Sequence, residues 1–203
     1  IPAEVARRLL SVADDPDLRH SLAGWLEGVS EPGLAASELR KLHREGDPAA
    51  AAALLVRIGV LHARAGDPVG AQDALEDAAK LDESDPLPLE LLGAIASPGA
   101  MPGDGSDALG PRAGADAYVR AAKRRAAQDD AEGELEDLYR AFEIDPASPV
   151  ATAALVAAYE ARSRGSAADD DLRSRQLAFE KRLDVFFHRD ASDIGEHRLG
   201  QIL

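Results

Sequence analysis

Apolar residues recur along most of this chain at spacings of three and four, the period of an amphipathic helix. Between Leu55 and Asp85 two such stripes meet at a Gly-Asp-Pro turn. The first puts Leu55, Ile58, Gly59 and His62 on one face. The second puts Ala71, Leu75, Ala78 and Ala79 on the face that would meet it. The same spacing predicts helices over residues 1–13, 16–28, 34–45, 49–65, 69–81, 86–97, 113–128, 131–144, 149–162, 169–187 and 190–203. In the second of these, Leu18, Leu22, Trp25 and Leu26 form the stripe, and Trp25, the only tryptophan, is expected to be a buried packing anchor. In the third, Leu34, Glu38, Leu39 and Leu42 lie along one side.

The punctuation supports these boundaries. Gly46-Asp47-Pro48 and Gly66-Asp67-Pro68 repeat one device. Glycine takes the left-handed closing position, Asp caps, and Pro opens the next helix. Residues 98–112 are rich in Gly, Pro, Ser and Asp and read as a mobile surface loop.

Composition narrows the class. Hydrophobic residues make up 45% of the 203 positions but aromatics only 4%, so the core must be built of Ala, Leu and Val. Strand-like β-branched and aromatic runs are nearly absent, and an all-α protein follows. The net charge of −14, from 23 Lys+Arg against 37 Asp+Glu, would repel a phosphate backbone and argues against nucleic-acid binding. Without cysteine there is no disulfide or thiolate metal site. No apolar run approaches the roughly 20 residues that span a bilayer, so a soluble chain is expected, with the cytoplasm the provisional compartment. The chain starts at Ile1 without a basic-then-apolar leader, which suggests a processed or excised piece. Ala/Arg/Asp-rich usage is associated with GC-rich bacterial genomes.

The stretch from Ala52 to Asp85 resembles a tetratricopeptide repeat, a unit of about 34 residues made of two antiparallel helices. Leu55 matches the large hydrophobic slot and Ile58-Gly59 the Leu-Gly step. His62 stands where Tyr is usual, and Ala71, Leu75 and Ala78 match the small-large-small stripe. Leu89, Leu92 and Gly93 follow Leu55, Ile58 and Gly59 by 34 residues. Leu138, Ala141, Phe142 and Asp145-Pro146 resemble the end of a second helix, and Leu155 and Tyr159 a further first helix. Ala141 lies 63 residues after Ala78, short of two periods, which suggests a helix missing or remodelled in between. Glu83 and Glu134 depart from the pattern.

The resemblance implies an all-α protein, an α-solenoid of antiparallel helical hairpins with a right-handed superhelical course. It implies one domain over 1–203: weak hairpins over 1–47, the best repeats over 52–97, an irregular loop over 98–112, divergent repeats over 113–187, and a final helix or further repeat over 188–203. A different α-solenoid or an irregular helical bundle is the other architecture open.

Arrays of this family bind peptides or proteins along the concave face of their first helices. The resemblance places Ala53, Val56, Arg57, Val60, Ala63 and Arg64 on that face in the best unit. In the next it places Leu87, Glu90, Leu91 and Ala94. The Lys/Asn clamp with which some members hold a C-terminal carboxylate is not matched. Arg120, Lys123, Arg124 and Arg125 form a basic cluster in an acidic chain. It either receives an acidic segment or a carboxylate, or is a solvated face paired with Asp129, Asp130, Glu132 and Glu134. The candidate partner-binding groove is Val56, Arg57, Val60, Arg64, Glu90, Leu91, Arg120 and Lys123.

Nothing resembles a catalytic, cofactor or metal constellation. Glu134 and Asp137 are a carboxylate pair of the kind any acidic helix offers, and His188 and His197 bracket a segment whose spacing of nine suits a surface better than a metal. His62 is expected to pack in the Tyr slot with its ring bonded to a neighbour. The expected role is a non-catalytic scaffold or adaptor for an unidentified protein or peptide. A peptide- or ligand-sensing regulatory module and an accessory domain of a larger multidomain enzyme are the alternatives.

Overall fold

The computed structural model describes residues 5, 8, 16–42, 47–97 and 109–165, the last three of these through the backbone alone. Eight helices are described: α1 Pro16–Gly28, α2 Pro32–Arg40, α3 Pro48–Arg64, α4 Pro68–Leu81, α5 Leu87–Ile95, α6 Gly110–Ala127, α7 Ala131–Ile144 and α8 Pro149–Gly165. No strand occurs among the described residues, so the all-α expectation holds. The chain divides into two compact units, Ile1–Gly114 and Ala115–Leu203. The expected helices over 1–13, 169–187 and 190–203 lie outside the described residues, apart from positions 5 and 8.

In the first unit, consecutive helices pack on one another: α1 on α2, α2 on α3, α3 on α4, and α4 on α5. The connections are too short for anything but antiparallel neighbours. One core joins the first two hairpins. Leu22, Ala23 and Leu26 of α1 and Ala35, Ala36 and Leu39 of α2 meet Leu55, Ile58 and Leu61 of α3 and Ala74 and Ala78 of α4. The alanines let the axes approach, and Gly59 sits at a tight contact between α3 and α4. A Cβ there would lie 2.6 Å from Leu75 Cγ and 3.3 Å from the Ala71 carbonyl oxygen. The Ile58-Gly59 step is a close helix crossing.

In the second unit, Ala115, Tyr118, Val119 and Ala122 of α6 pack with Leu138, Ala141 and Phe142 of α7 and Ala151, Leu155, Val156 and Tyr159 of α8. Tyr139 and Tyr159 meet edge to face and share a hydroxyl contact.

The α6–α7 hairpin repeats the α3–α4 hairpin in register, 63 residues on. Pro68–Leu81 becomes Ala131–Ile144. Gly66 and Asp129 both close their first helix with positive φ, 73° and 59°. Asp67 and Asp130 both cap the second helix, each accepting from the backbone N–H three residues on, Gly70 at 2.9 Å and Gly133 at 3.0 Å. At the far end the N–H of Asp82 donates to Ala78, and that of Asp145 to Ala141, both at 3.1 Å.

Several sequence expectations need correction. Trp25 is exposed, at 36%, because α1 turns Leu22, Ala23 and Leu26 inward and leaves Trp25 and Val29 on its outer side. Leu34 is also exposed, whereas Glu38, on the same predicted stripe, is buried with Arg19 and Lys41 at 3.0 and 2.7 Å. α2 ends at Arg40 rather than near residue 45, and residues 43–46 are outside the description. The predicted loop over 98–112 ends early, since Gly110 to Arg112 already belong to α6; its residues 98–108 lie outside the described residues.

Candidate partner-binding surface

On α3, positions 49, 53, 57, 60 and 64 fall on one stripe, turned away from the core by the burial of Leu55, Ile58 and Leu61. Ala53 and Arg64 are exposed, while Arg57, Val60 and Ala63 are half-buried. Val56 leans against the core. Arg57 reaches back to α1 and donates to Glu27 Oε1 from Nε at 3.0 Å and from Nη2 at 2.5 Å. The sequence reading missed Glu27, whose partner lies 30 positions away.

Arg64, at the C-terminal end of α3, lines an open cleft of about 540 Å³ with Ser30, Glu31, Gly33, Leu34 and Ala65. α5 packs mainly on α4 but also touches α3, so Glu90 and Leu91, both half-buried, belong to the same neighbourhood. Leu87 is exposed at the start of α5, and Ala94 is half-buried.

Arg120 and Lys123 are exposed on α6 and belong to the second unit. The basic cluster splits by depth. Arg125 turns inward, with Nη1 2.6 Å from Asp130 Oδ2 and Nε 3.1 Å from Asp137 Oδ2. Asp137 is 1% exposed, so this guanidinium neutralises a carboxylate held away from water. The expected pairing with Asp130 is present; Asp137 was not foreseen as a partner. Its counterpart 63 residues earlier is the buried Ala74, and that offset marks position 137 as an inward one.

Glu134 stands three residues before Asp137, but its setting differs. It takes the place of the small Ala71, is half-buried, and burial raises its pKa above the usual carboxylate value. One carboxylate is thus sealed by arginine and the other merely desolvated.

The turn from α3 to α4 shows how the hairpin is fastened. His62 Nδ1 lies 2.8 Å from Asp67 Oδ2, as the Tyr-slot reading expects of a ring bonded to a neighbour. The Gly70 N–H, chiefly, lowers the Asp67 pKa, with His62 adding to it. In the second unit, the Gly133 N–H and then Arg125 lower that of Asp130. Both positions are tight: a Cβ on Gly70 would lie 2.5 Å from His62 Nδ1, and one on Gly133 2.5 Å from Arg125 Cδ, so those side chains would have to shift.

Among the described residues, no cluster of three or more His, Asp or Glu side chains is placed to hold a metal ion, and no helix is long and apolar enough to cross a membrane. His188 and His197 lie outside the described residues.

The class these features define is an all-helical protein of short, closely packed helix pairs. No family model matches the sequence, and no curated protein matches it significantly. Among solved structures, the chain is similar to MamA residues 41–end from Desulfovibrio magneticus RS-1, with 19% identity over 88% of this chain and 99% of that one, at a TM-score of 0.36. A second structure of MamA shares 16% identity over 89% and 86% of the two chains, at 0.35. The assembly chaperone of RpL4, Acl4, shares 20% over 89% and 78%, also at 0.35.

Proposed function

We propose that this protein is a non-catalytic adaptor of tetratricopeptide type, holding a protein or peptide partner on the exposed stripes of its first helices. The observation that supports this most is the repeated hairpin. The α3–α4 and α6–α7 pairs share the turn conformation and the cap and length of the second helix 63 residues apart, and each first helix has exposed positions on its outward stripe. A hairpin that exposes one stripe of its first helix is suited to recognition by surface contact. In the first unit the proposed surface is Val56, Arg57, Val60 and Arg64 with Glu90 and Leu91; in the second it includes Arg120 and Lys123. A mixed apolar and charged stripe suits a peptide, whose backbone and side chains need both.

Peptides selected from a displayed random library on the whole chain test this reading. Binding is expected to fall at least tenfold for Val60→Asp, which puts a charge into the α3 stripe, and to survive Val69→Asp on the exposed start of α4. Equal loss in both variants, or selection of no peptide, overturns it.

A further inference from the structure

The turn from α1 to α2 gathers apolar side chains that the fold does not bury. Of the large hydrophobic residues exposed among the described residues, Trp25, Val29 and Leu34 fall between positions 25 and 34, and no other three lie so close together in sequence. Trp25 and Val29 are four apart on α1 and so share its outer face. Backbone bonds fix the turn that follows. The N–H of Val29 donates to the Trp25 carbonyl at 3.1 Å, and that of Glu31 to the Leu26 carbonyl at 2.9 Å. Leu34 then opens onto the cleft that Glu31, Gly33, Arg64 and Ala65 also line. The start of α2 meets the end of α3 there: a Cβ on Gly33 would lie 3.5 Å from Ala65 Cβ.

The cleft is balanced in charge. The ionisable side chains lining it are one carboxylate, Glu31, and one guanidinium, Arg64. Both are exposed, and neither has an ion-pair partner among the described residues. The Glu31 side chain, at the N-cap of α2, makes no capping bond either. Its neighbour Glu27 is committed, to Arg57 on α3. Two copies of a chain of net charge −14 repel one another. A patch that is apolar and carries one charge of each sign is where that repulsion is weakest.

We infer that this patch docks on the same patch of a second copy of the chain, across a two-fold axis. Arg64 of each copy then faces Glu31 of the other, and Trp25, Val29 and Leu34 cover one another between the two pairs. A partner of one charge sign would leave either Glu31 or Arg64 without a counterpart, whereas a second copy supplies both. A tryptophan beside apolar neighbours is the residue type that anchors such contacts. The contact is isologous and closes on itself, so association stops at the dimer. Pairing of copies is a role beyond the holding of peptides, and the two surfaces share only Arg64, at the end of the α3 stripe.

Sedimentation equilibrium of the whole chain over a range of concentrations tests this. The mass should rise to that of a dimer and no further. Trp25, open to acrylamide in the dilute chain, should become shielded over the same range. Trp25→Asp should weaken association by about tenfold or more; if it unfolds the chain, Val29→Asp takes its place. Val69→Asp, on the exposed start of α4, should leave association unchanged. Glu31→Arg and Arg64→Glu should each weaken it severalfold, since each sets like charges against one another twice in the dimer. Mixed one to one, those two variants should associate again, because every cross pair is then Glu against Arg. A monomer throughout overturns the inference. So do growth beyond the dimer, association that survives Trp25→Asp or Val29→Asp, equal loss in Val69→Asp, and charge variants that associate unchanged alone or stay apart when mixed.

Discussion

Position 129 and its counterpart 66 make the same turn with different residues. Asp129 holds a φ of 59°, a conformation that costs an L side chain free energy, and Gly66 holds 73° without that cost. Asp129→Gly is therefore expected to stabilise the protein by about 0.5–1 kcal/mol, and Gly66→Ala to destabilise it by about 1 kcal/mol, in chemical denaturation. At the next residue, Asp67→Ala removes an N-cap and should cost about 1 kcal/mol at neutral pH. The pKa of Asp67 is lower in the folded chain than its ordinary 3.8, chiefly because the Gly70 N–H donates to the carboxylate. Its ionised form therefore contributes fully above pH 3.8, and that contribution is lost as pH falls through the lower folded value. The gap between wild type and Asp67→Ala should shrink over that acid range; a gap that widens there contradicts the assignment. Trp25 gives a simpler check. Being the only tryptophan and 36% exposed, it should be quenched readily by acrylamide in the native state.

At the level of elements, the helices and most turns are legible in the sequence because Gly-Asp-Pro and Asp-Pro act locally. Gly59 is legible too, since only a close crossing explains a glycine inside an apolar helix. Gly59→Leu should overpack Leu75 and cost about 1–3 kcal/mol; an equally stable variant contradicts the crossing. Trp25 is misread because a stripe of four apolar residues is wider than the face α2 and α3 can cover, and the pattern does not say which edge stays outside. Glu38 lies on the buried side with Leu39, where the spacing put it, and Arg19 and the nearby Lys41 make that burial tolerable. The candidate stripe on α3 follows from the family resemblance, but the tie from Arg57 to Glu27 does not, because it joins residues of different helices. The offset of 63 is visible in sequence at Ala78 and Ala141. Its meaning as a whole hairpin repeated in register needs the caps and turns in three dimensions.

Over the whole molecule, the net charge of −14 describes a surface that is not uniform. Basic first helices beside acidic second helices give the α3–α4 and α6–α7 hairpins two electrostatic faces, so the bulk value misleads about either of them. The account's central claim is that partners meet the first-helix stripes. Amide shift mapping of the labelled whole chain, titrated with a library-selected peptide, tests it most directly. Perturbations should gather along α3 with its neighbour α5, and along α6, and should spare the exposed faces of α4 and α7. Shifts gathered on α4 and α7, with α3 and α6 unmoved, would contradict it.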